Sequence, residues 1–402
     1  MRARFLAVPA LLVAAATACT AIIGTRDLSY DPNADGGGSS GNPPGTPPPG
    51  TPPPGTPPPG SGDGGACNAD LQTDMHNCGR CGRDCLGAKC TMGACEPITL
   101  AMGLSDLNYI ALDATNVYLT TYDGKIWKVP KDGSMQQTAI ATSAYALGLV
   151  VDGTTLYWAS NDYIYNGTTQ LGGIWKCTLP ACADKAIVSP ADEARFPAVA
   201  AGVVYFGSDG DQTIRRTLAD GGNAIVTSAG RPFTAVDATH VYFTSSANDM
   251  YRALIAGDGG TERIGPLNGS TWGYAQVDAT RAYWAYGDSD NTAHVLGIDK
   301  ANITMTPTAY STTDDKNPVG IALDATNIYW ADQGTFTMDM AMTSHNDGMI
   351  RMCPKAGCAA SGPITLAKGL TDPVEIAVDD KAVYWGEFVD INNCILKKVA
   401  LP

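Results

Sequence analysis

A short phrase that ends in a tyrosine and a large apolar residue occurs seven times in this chain of 402 residues. It is clearest at 320–330, which reads Gly-Ile-Ala-Leu-Asp-Ala-Thr-Asn-Ile-Tyr-Trp. Successive tyrosines lie 37 to 55 residues apart. Self-similarity at such a period indicates a repeat architecture, in which each unit buries its apolar face against its neighbours. The pairs are Tyr118-Leu119, Tyr157-Trp158, Tyr205-Phe206, Tyr242-Phe243, Tyr283-Trp284, Tyr329-Trp330 and Tyr384-Trp385.

Each repeat reads as four short strands. An apolar run ends in Asp, a tight turn follows, and the tyrosine pair lies on the second strand. An Asp at the first turn position can accept a hydrogen bond from the backbone two residues on, which closes a hairpin. Short β-branched and aromatic runs bounded by Gly, Asp and Pro are typical of strands. The 307 residues from Glu96 to Pro402 divide into seven units of about 44 residues, which predicts an all-β, seven-bladed β-propeller.

A displaced copy of one strand predicts how the ring closes. Residues 97–106 match residues 363–372 at a constant offset of 266. The second copy is predicted to be the fourth strand of blade six. The first copy should therefore also be a fourth strand, but the chain has no earlier strands with which it could form a blade. Blade seven has three strands when the chain reaches Pro402. We therefore expect residues 97–101 to complete the last blade, which removes an exposed sheet edge.

The N-terminus predicts export. Residues 1–18 have the features of a signal peptide, namely two arginines and an apolar stretch too short to span a bilayer. Ala16-Thr-Ala-Cys19 resembles a bacterial lipobox, which implies lipidation of Cys19 and an anchor leader at 19–31. The alternative is plain secretion with Cys19 in the removed peptide. The predicted location is the bacterial outer membrane or cell surface, alternatively the periplasm or the medium.

Two segments separate the anchor from the repeats. Residues 32–66 contain Gly-Thr-Pro-Pro-Pro three times and predict a disordered stalk, because they cannot bury a core. Residues 67–95 hold six cysteines and predict a disulfide-rich module with 15 possible connectivities. A zinc or redox role for Cys78-Gly-Arg-Cys81 is the weaker interpretation, because no second pair has metal-ligand spacing. The candidates are Cys67, Cys78, Cys81, Cys85, Cys90 and Cys95. This segment resembles short Cys-rich modules of bacterial surface lipoproteins.

The propeller, assigned to 96–402, contains five further cysteines. Cys177 and Cys182 flank the turn after a third strand, and Cys353 and Cys358 repeat that arrangement. We predict a local disulfide in each pair. Cys394 is left over, and we expect it to be buried.

One repeat carries a family signature. Ile328-Tyr-Trp-Ala-Asp332, followed by Ile350-Arg351, resembles the YWTD repeat of low-density-lipoprotein-receptor propellers and their bacterial relatives. The resemblance covers the repeat region and implies a propeller used mainly for extracellular protein binding. Blade six alone has Tyr-Trp-x-Asp, and the receptor domains have six blades where seven are counted in this chain.

Binding residues are expected on loops held by a rigid scaffold. The loops between blades share one face with the loops between second and third strands, which are long at 160–172, 286–293 and 333–348. That face is the candidate binding face. Its candidate residues are Arg195, Arg231, Trp272, Tyr274, Asn317 and Glu375, with Asp106, Asn108, Tyr109 and Asp372 nearby.

Metal chemistry has one candidate segment. Met338, Met340 and Met342 would share a face of an extended strand, with His345 nearby, and thioether sulfurs suit Cu(I). The alternative is a flexible apolar loop that packs on the propeller. The acidic loops at 208–211 and 287–290 lack the spacing of a calcium loop and are interpreted as turns. No cofactor is predicted.

The predicted function is binding or scaffolding at the cell envelope. A net charge of −14 without a basic cluster disfavours nucleic acid, so we expect a protein or glycan ligand, and a membrane contact only through the lipid anchor. The four histidines share no motif, and no catalytic signature is present, so enzymatic activity is disfavoured. The alternative is a propeller enzyme of the lyase or lactonase type with a central metal, which only the fold suggests.

Overall fold

The structure is a computed structural model that describes residues 67–402, except 144, 162, 166–167, 171, 229, 245–248, 258–259, 267–273, 288–292, 338–342, 345, 359 and 391–392. The predicted signal peptide, Cys19 and the stalk therefore lie outside the described residues. Within the described ranges, no helix has the length and apolar character needed to cross a membrane.

The repeats form seven antiparallel four-stranded sheets, as predicted. In blades one to six the strands follow chain order from the first to the fourth. Blade one consists of β4 Leu107–Leu112, β5 Asn116–Thr121, β6 Lys125–Pro130 and β7 Thr138–Thr142. Blade two consists of β8 Ala146–Asp152, β9 Thr155–Ser160, β12 Gly173–Thr178 and β13 Ala186–Pro190. Blade three consists of β14 Ala194–Ala200, β15 Val203–Ser208, β16 Thr213–Thr217 and β17 Asn223–Thr227.

The remaining blades continue this pattern. Blade four consists of β18 Arg231–Val236, β19 His240–Thr244, β20 Asp249–Leu254 and β21 Thr261–Pro266. Blade five consists of β22 Tyr274–Val277, β23 Arg281–Gly287, β24 Ala293–Asp299 and β25 Thr308–Ala309. Blade six consists of β26 Pro318–Leu323, β27 Asn327–Asp332, β30 Gly348–Pro354 and β31 Ile364–Leu370. Two small hairpins lie in the long loops of blades two and six: β10 Tyr163–Tyr165 with β11 Thr168–Gln170, and β28 Phe336–Thr337 with β29 Thr343–Ser344.

Blade seven confirms the predicted closure. It consists of β32 Pro373–Val378, β33 Ala382–Asp390, β34 Asn393–Ala400 and the N-terminal strand β3 Ile98–Leu104. Strand β3 pairs with β34, with Ile98 opposite Lys398 and Leu104 opposite Cys394. The innermost strands of neighbouring blades pack against each other, and β32 packs against β4 to complete the ring.

The tyrosine pairs form the blade cores. Their second members are fully buried because each blade is covered on both sides by its neighbours. These residues are Leu119, Trp158, Phe206, Phe243, Trp284, Trp330 and Trp385, each 0% exposed. The tyrosine rings are also buried, except that of Tyr157, which is partly exposed. The second strands are therefore apolar on both faces rather than alternating.

In five of the six blades with a buried tyrosine, the hydroxyl reaches the turn that precedes its strand; blade three has Ala-Ala-Gly at 200–202 in place of the Asp turn. Tyr118 donates to Asp113 at 2.7 Å, and the same carboxylate accepts the backbone N–H groups of Thr115 and Asn116. Equivalent bonds join Tyr242 to Asp237, Tyr283 to Asp278, Tyr329 to Asp324 and Tyr384 to Asp379. The Asp of the phrase thus holds both its own turn and the following strand. We call the end of the propeller that carries these turns the turn face.

Lysines link blades across the turn face. Lys131 of blade one donates to Asp379 of blade seven at 2.8 Å, and Lys300 of blade five donates to Asp237 of blade four at 2.7 Å. Lys355 of blade six lies 2.9 Å from the carboxylate of Asp278 in blade five. Each lysine follows a third strand and reaches the preceding blade. The Lys131 bridge spans the seam where the ring closes.

The Cys-rich module docks beside this seam. Its disulfides are Cys67–Cys81, Cys78–Cys90 and Cys85–Cys95, and its two short strands are β1 Cys90–Thr91 and β2 Ala94–Cys95. The disulfides Cys177–Cys182 and Cys353–Cys358 are also present, and Cys394 is a buried thiol. Because Cys78 and Cys81 belong to different disulfides, they form neither a zinc pair nor a redox dithiol. Five disulfides are typical of an extracellular or exported protein.

Candidate binding face and the propeller axis

The two loop families predicted to share a face are joined by backbone hydrogen bonds. Tyr122, in the loop after β5, donates its N–H to the carbonyl of Asp106 at 3.0 Å. Equivalent bonds run from Asp209 to Glu193 at 3.2 Å, from Gln333 to Asn317 at 3.0 Å and from Phe388 to Asp372 at 3.1 Å. We call this end of the propeller, opposite the turn face, the loop face.

Three of the candidate binding residues have described side chains. Arg195 pairs with Asp209, with 3.1 Å between nitrogen and oxygen. The amide of Asn317 donates to Gln333 at 2.7 Å, and Gln333 donates to Asp372 at 2.5 Å, so a polar chain crosses from blade six to blade seven. Glu375 is fully buried and does not contribute to the exposed surface.

The other candidates fall partly or wholly outside the described residues. Trp272, Met338, Met340, Met342 and His345 are outside them. For Arg231 and Tyr274 the backbone lies in β18 and β22.

Asp372 has an unusual titration environment. Burial raises the pKa of its carboxyl to about 7; the hydrogen bond from Gln333 opposes that shift, and the negative charge of Asp106 adds to it. The two carboxylates lie at the start of β32 and β4, where blades seven and one meet. We therefore expect this part of the loop face to gain negative charge as the pH rises through neutrality.

The Asp of the Tyr-Trp-x-Asp sequence has a structural role. Asp332 is fully buried and accepts the backbone N–H groups of Lys316, Asn317 and Gly334 at 3.0, 2.8 and 3.1 Å. Burial raises its pKa even though these bonds lower it. Glu387 takes the equivalent place in blade seven and accepts the N–H of Thr371. These carboxylates hold the loops that enter the innermost strands.

An exposed tyrosine pair lies on the loop face. The hydroxyls of Tyr122 and Tyr145 are 3.1 Å apart, and their rings meet edge to face with centroids 5.4 Å apart. Tyr122 is 48% exposed. Neither tyrosine is among the predicted binding residues, because the two are separated by two strands and neither belongs to the repeated phrase. The signal they carry in the sequence is an aromatic residue in a loop rather than in a strand.

The innermost strands share a bulge near the propeller axis. Near the start of the innermost strand, the register with the second strand shifts by one residue in blades one, two, three, six and seven and by two residues in blade four. A bulge re-aims side chains and increases the local twist. The equivalent positions, including that of blade five, are Tyr109, Gly148, Phe196, Phe233, Tyr274, Gly320 and Glu375.

Two of these side chains meet across an intervening blade. The rings of Tyr109 and Phe196 are edge to face with centroids 5.5 Å apart, although blade two lies between them. Gly148 makes this possible, because a Cβ there would lie 2.7 Å from Pro197 and 2.9 Å from the Cα of Phe196. The side chains of Tyr109 and Phe196 therefore face the axis.

Glu375 is the acidic member of this set. Gly320 packs against its backbone as Gly148 packs against Phe196, with a Cβ position 3.7 Å from the Cα of Glu375. Neither carboxyl oxygen has a hydrogen-bond partner within the part of the chain that the structure describes. Burial raises its pKa well above the ordinary value. The buried carboxyl therefore favours its protonated form and lacks a described hydrogen-bond partner.

Within the described ranges, the one group of three closely spaced side chains that could hold a metal is Cys78, Cys85 and Cys95, and all three form disulfides. The acidic loop at 208–211 makes internal contacts, with Asp211 accepting from Thr213 and pairing with Arg215.

The fold defines the class of protein, a seven-bladed β-propeller with a docked disulfide-rich module. No protein-family profile matches the sequence, and no curated protein is significantly similar to it. Among solved structures, the GH74 enzyme of Niastella koreensis is 14% identical and aligns over 73% of this chain and 53% of its own, with a TM-score of 0.53.

Two further structures are similar over most of the chain. The WD40 propeller of Doa1 is 13% identical over 75% of this chain and 93% of its own, with a TM-score of 0.47. A chain of a nidogen/laminin complex is 15% identical over 68% of this chain and 86% of its own, with a TM-score of 0.41. At 14% identity and a TM-score of 0.53, the similarity to the GH74 enzyme supports the propeller fold alone.

Proposed function

We propose that this chain is an exported, lipid-anchored propeller of the cell envelope that binds a partner on its loop face. The observation that carries the proposal is the position of the Cys-rich module. Arg83 donates to the carbonyls of Leu401 and Ala400, and Leu401 donates its N–H to Lys381 in a turn-face hairpin. The module is thus bound at the turn-face end of the propeller, which leaves the loop face free for a partner.

The tyrosine pair is the proposed anchor for the partner. Tyrosines give a large contact area at a small cost in side-chain entropy, and they are enriched among residues that dominate binding energy. Tyr122 and Tyr145 are already oriented by their mutual contact. We favour a protein partner, and a glycan is the second outcome that the experiment can detect.

Site-specific photocrosslinking tests this proposal. Tyr122 is replaced by benzoylphenylalanine in cells that produce the full chain, and the control is the same replacement at Leu254, which is 42% exposed at the turn-face end of β20. We expect crosslinks from position 122 and not from position 254. A protease-sensitive adduct identifies a protein, and a glycosidase-sensitive one identifies a glycan. Equal crosslinking at both positions, or none at position 122, contradicts the proposal.

The anchor gives a separate prediction. Replacing Cys19 by alanine is expected to move the protein from the membrane fraction to the soluble fraction. The variant has no attached acyl chain, and each CH₂ group that such a chain buries in the membrane contributes about 0.8 kcal/mol to membrane binding. Metabolic labelling with an alkyne fatty acid measures the acylation directly. Equal labelling of the wild type and the variant would show that Cys19 is not the lipidated residue.

The alternative is an enzyme with a central metal, and the described axial side chains offer a single carboxyl toward it. Such an enzyme needs several ligands that converge on one point. At the equivalent axial positions Tyr109, Gly148, Phe196 and Gly320 have no carboxylate or imidazole to offer, and Glu375 offers one carboxyl. Binding on the loop face is therefore the function that the geometry supports best.

A further inference from the structure

The Cys-rich module is built on the seam of the ring. Its buried cysteines belong to the same apolar cluster as Val399 and Ala400 at the end of β34. The Arg83 side chain adds two hydrogen bonds to that end of the chain, at 3.2 Å to Leu401 and 3.3 Å to Ala400. The module therefore holds the last strand of the propeller.

The same module holds the first strand of the repeat region. Glu96 lies between Cys95 and β3, and it donates its N–H to the carbonyl of Lys89 within the module at 2.9 Å. Strand β3 is an outer strand, and its register with β34 shifts twice between Ile98 and Leu104. Backbone pairing alone is therefore a limited restraint on β3, and the module fixes its entry point.

Disulfides are the main source of order in the module. It spans 67–95, it has two strands of two residues each, and its buried apolar residues are mostly the cysteines themselves. A segment of this size cannot supply an adequate hydrophobic core of its own. Its fold therefore depends on oxidation.

We propose that the module is an oxidation-dependent clasp that keeps β3 in blade seven and thereby keeps the ring closed. A dithiol reductant would give two electrons and two protons to the Cys85–Cys95 disulfide, which becomes two thiols while the reductant becomes a disulfide. The reduced module loses its docked structure, and β3 separates from β34 more often. Ring closure is in this way coupled to an oxidising compartment, so a chain with reduced cysteines opens its last blade more often.

Cys394 provides the readout. It lies opposite Leu104, it is 0% exposed, and it belongs to the apolar cluster that β3 covers. Departure of β3 uncovers this thiol. The rate of its modification by a maleimide under native conditions therefore measures opening of the blade.

The experiment compares labelling of Cys394 in the full chain and in two double variants. Cys85→Ser with Cys95→Ser removes a module disulfide, and the rate is expected to rise about tenfold or more. The matched control is Cys177→Ser with Cys182→Ser, which removes a disulfide of equal kind from blade two. That control is expected to leave the rate unchanged.

A variant that keeps all disulfides separates the clasp from general misfolding. Arg83→Ala removes the two bonds to the C-terminal carbonyls. We expect its Cys394 labelling rate to lie between those of the wild type and the Cys85/Cys95 variant, with an unchanged near-ultraviolet circular dichroism spectrum. Equal rates in the wild type and the Cys85/Cys95 variant, or equal increases in the Cys85/Cys95 and Cys177/Cys182 variants, would overturn the proposal.

Discussion

Replacing Lys131 by methionine is expected to lower the free energy of unfolding by about 3 kcal/mol, because it leaves a buried carboxylate without its cation. The ammonium of Lys131 and the carboxylate of Asp379 are 2.8 Å apart, and their side chains are only 9% and 6% exposed. Lys131 also donates to the carbonyl of Asp113, and Lys398 donates to the carbonyl of Lys131. This network joins blades one and seven. Urea denaturation of the two proteins at pH 7 measures the difference.

The chain contains its own control for this prediction. Lys300→Met breaks the equivalent bridge to Asp237, which joins blades four and five and is more exposed, at 15% and 17%. We expect a loss of about 1 kcal/mol there, because solvent screens the pair and the chain is continuous across that interface. A loss at Lys300 equal to or larger than that at Lys131 would show that the seam has no special dependence on its bridge.

The effect of Lys131 should depend on pH in a defined direction. Burial by itself would raise the pKa of Asp379, but the hydrogen bond from Lys131 and two backbone N–H groups hold it below the ordinary value. A carboxyl with a depressed pKa in the folded state stabilises the fold above its unfolded pKa of about 4, and that contribution is lost as the pH falls further. The difference between wild type and Lys131→Met is therefore expected to be constant from about pH 5 to 8 and to shrink below about pH 4.

Replacing Glu375 by methionine is expected to stabilise the protein, by about 1–3 kcal/mol at pH 8, because it removes an unsatisfied buried carboxyl. Methionine has a similar length and keeps the volume at the axis. The φ angle of +47° at this position strains glutamate and methionine alike, so the backbone contribution does not change. Urea denaturation at several pH values measures the gain.

The sign of the pH dependence follows from the raised pKa of Glu375. The folded state retains this proton at pH values where the unfolded state has released it, so wild-type stability falls as the pH rises above about 4.3. The advantage of Glu375→Met should therefore grow with pH. Glu375→Gln should also lack the pH dependence of the wild type. Its gain in stability should be smaller than that of Glu375→Met, because the buried amide has no hydrogen-bond partner. The matched surface control is Glu193→Gln, at an exposed position, with a change within about 0.5 kcal/mol. A loss of stability in Glu375→Met would show that the carboxyl has a partner that methionine cannot replace.

The blade count and the ring closure could be predicted because both depend on local sequence. The apolar run and the tyrosine pair recur in each blade and the Asp turn in most, and the segment 97–106 shares eight of its ten residues with 363–372, which is assigned to the fourth strand of blade six. The Asp-Ala-Thr turns form as predicted, and the tyrosine hydroxyl adds a bond to the same carboxylate. That additional bond joins residues five positions apart and extends beyond the turn itself, so the turn motif alone does not predict it.

The candidate site was predicted less completely. The shared face of the two loop families followed from the propeller topology, and the backbone bonds at Asp106 and Asn317 agree with it. The burial of Glu375 did not follow, because a one-residue bulge turns a residue at the start of a strand toward the axis. The pair of Tyr122 and Tyr145 did not follow either, because it forms only when two adjacent blades are placed side by side.

By itself, the sequence determined the repeat, the number of blades, the strand that completes the ring and the cysteines that form disulfides. Each of these features depends on residues that are close together in the chain or on a segment that occurs twice. Only the tertiary structure decided which blades a lysine joins, which side chains meet at the axis and where the module docks. These contacts connect residues as distant as Lys131 and Asp379, or Arg83 and Leu401. They depend on the curvature of the closed ring, which no single repeat contains.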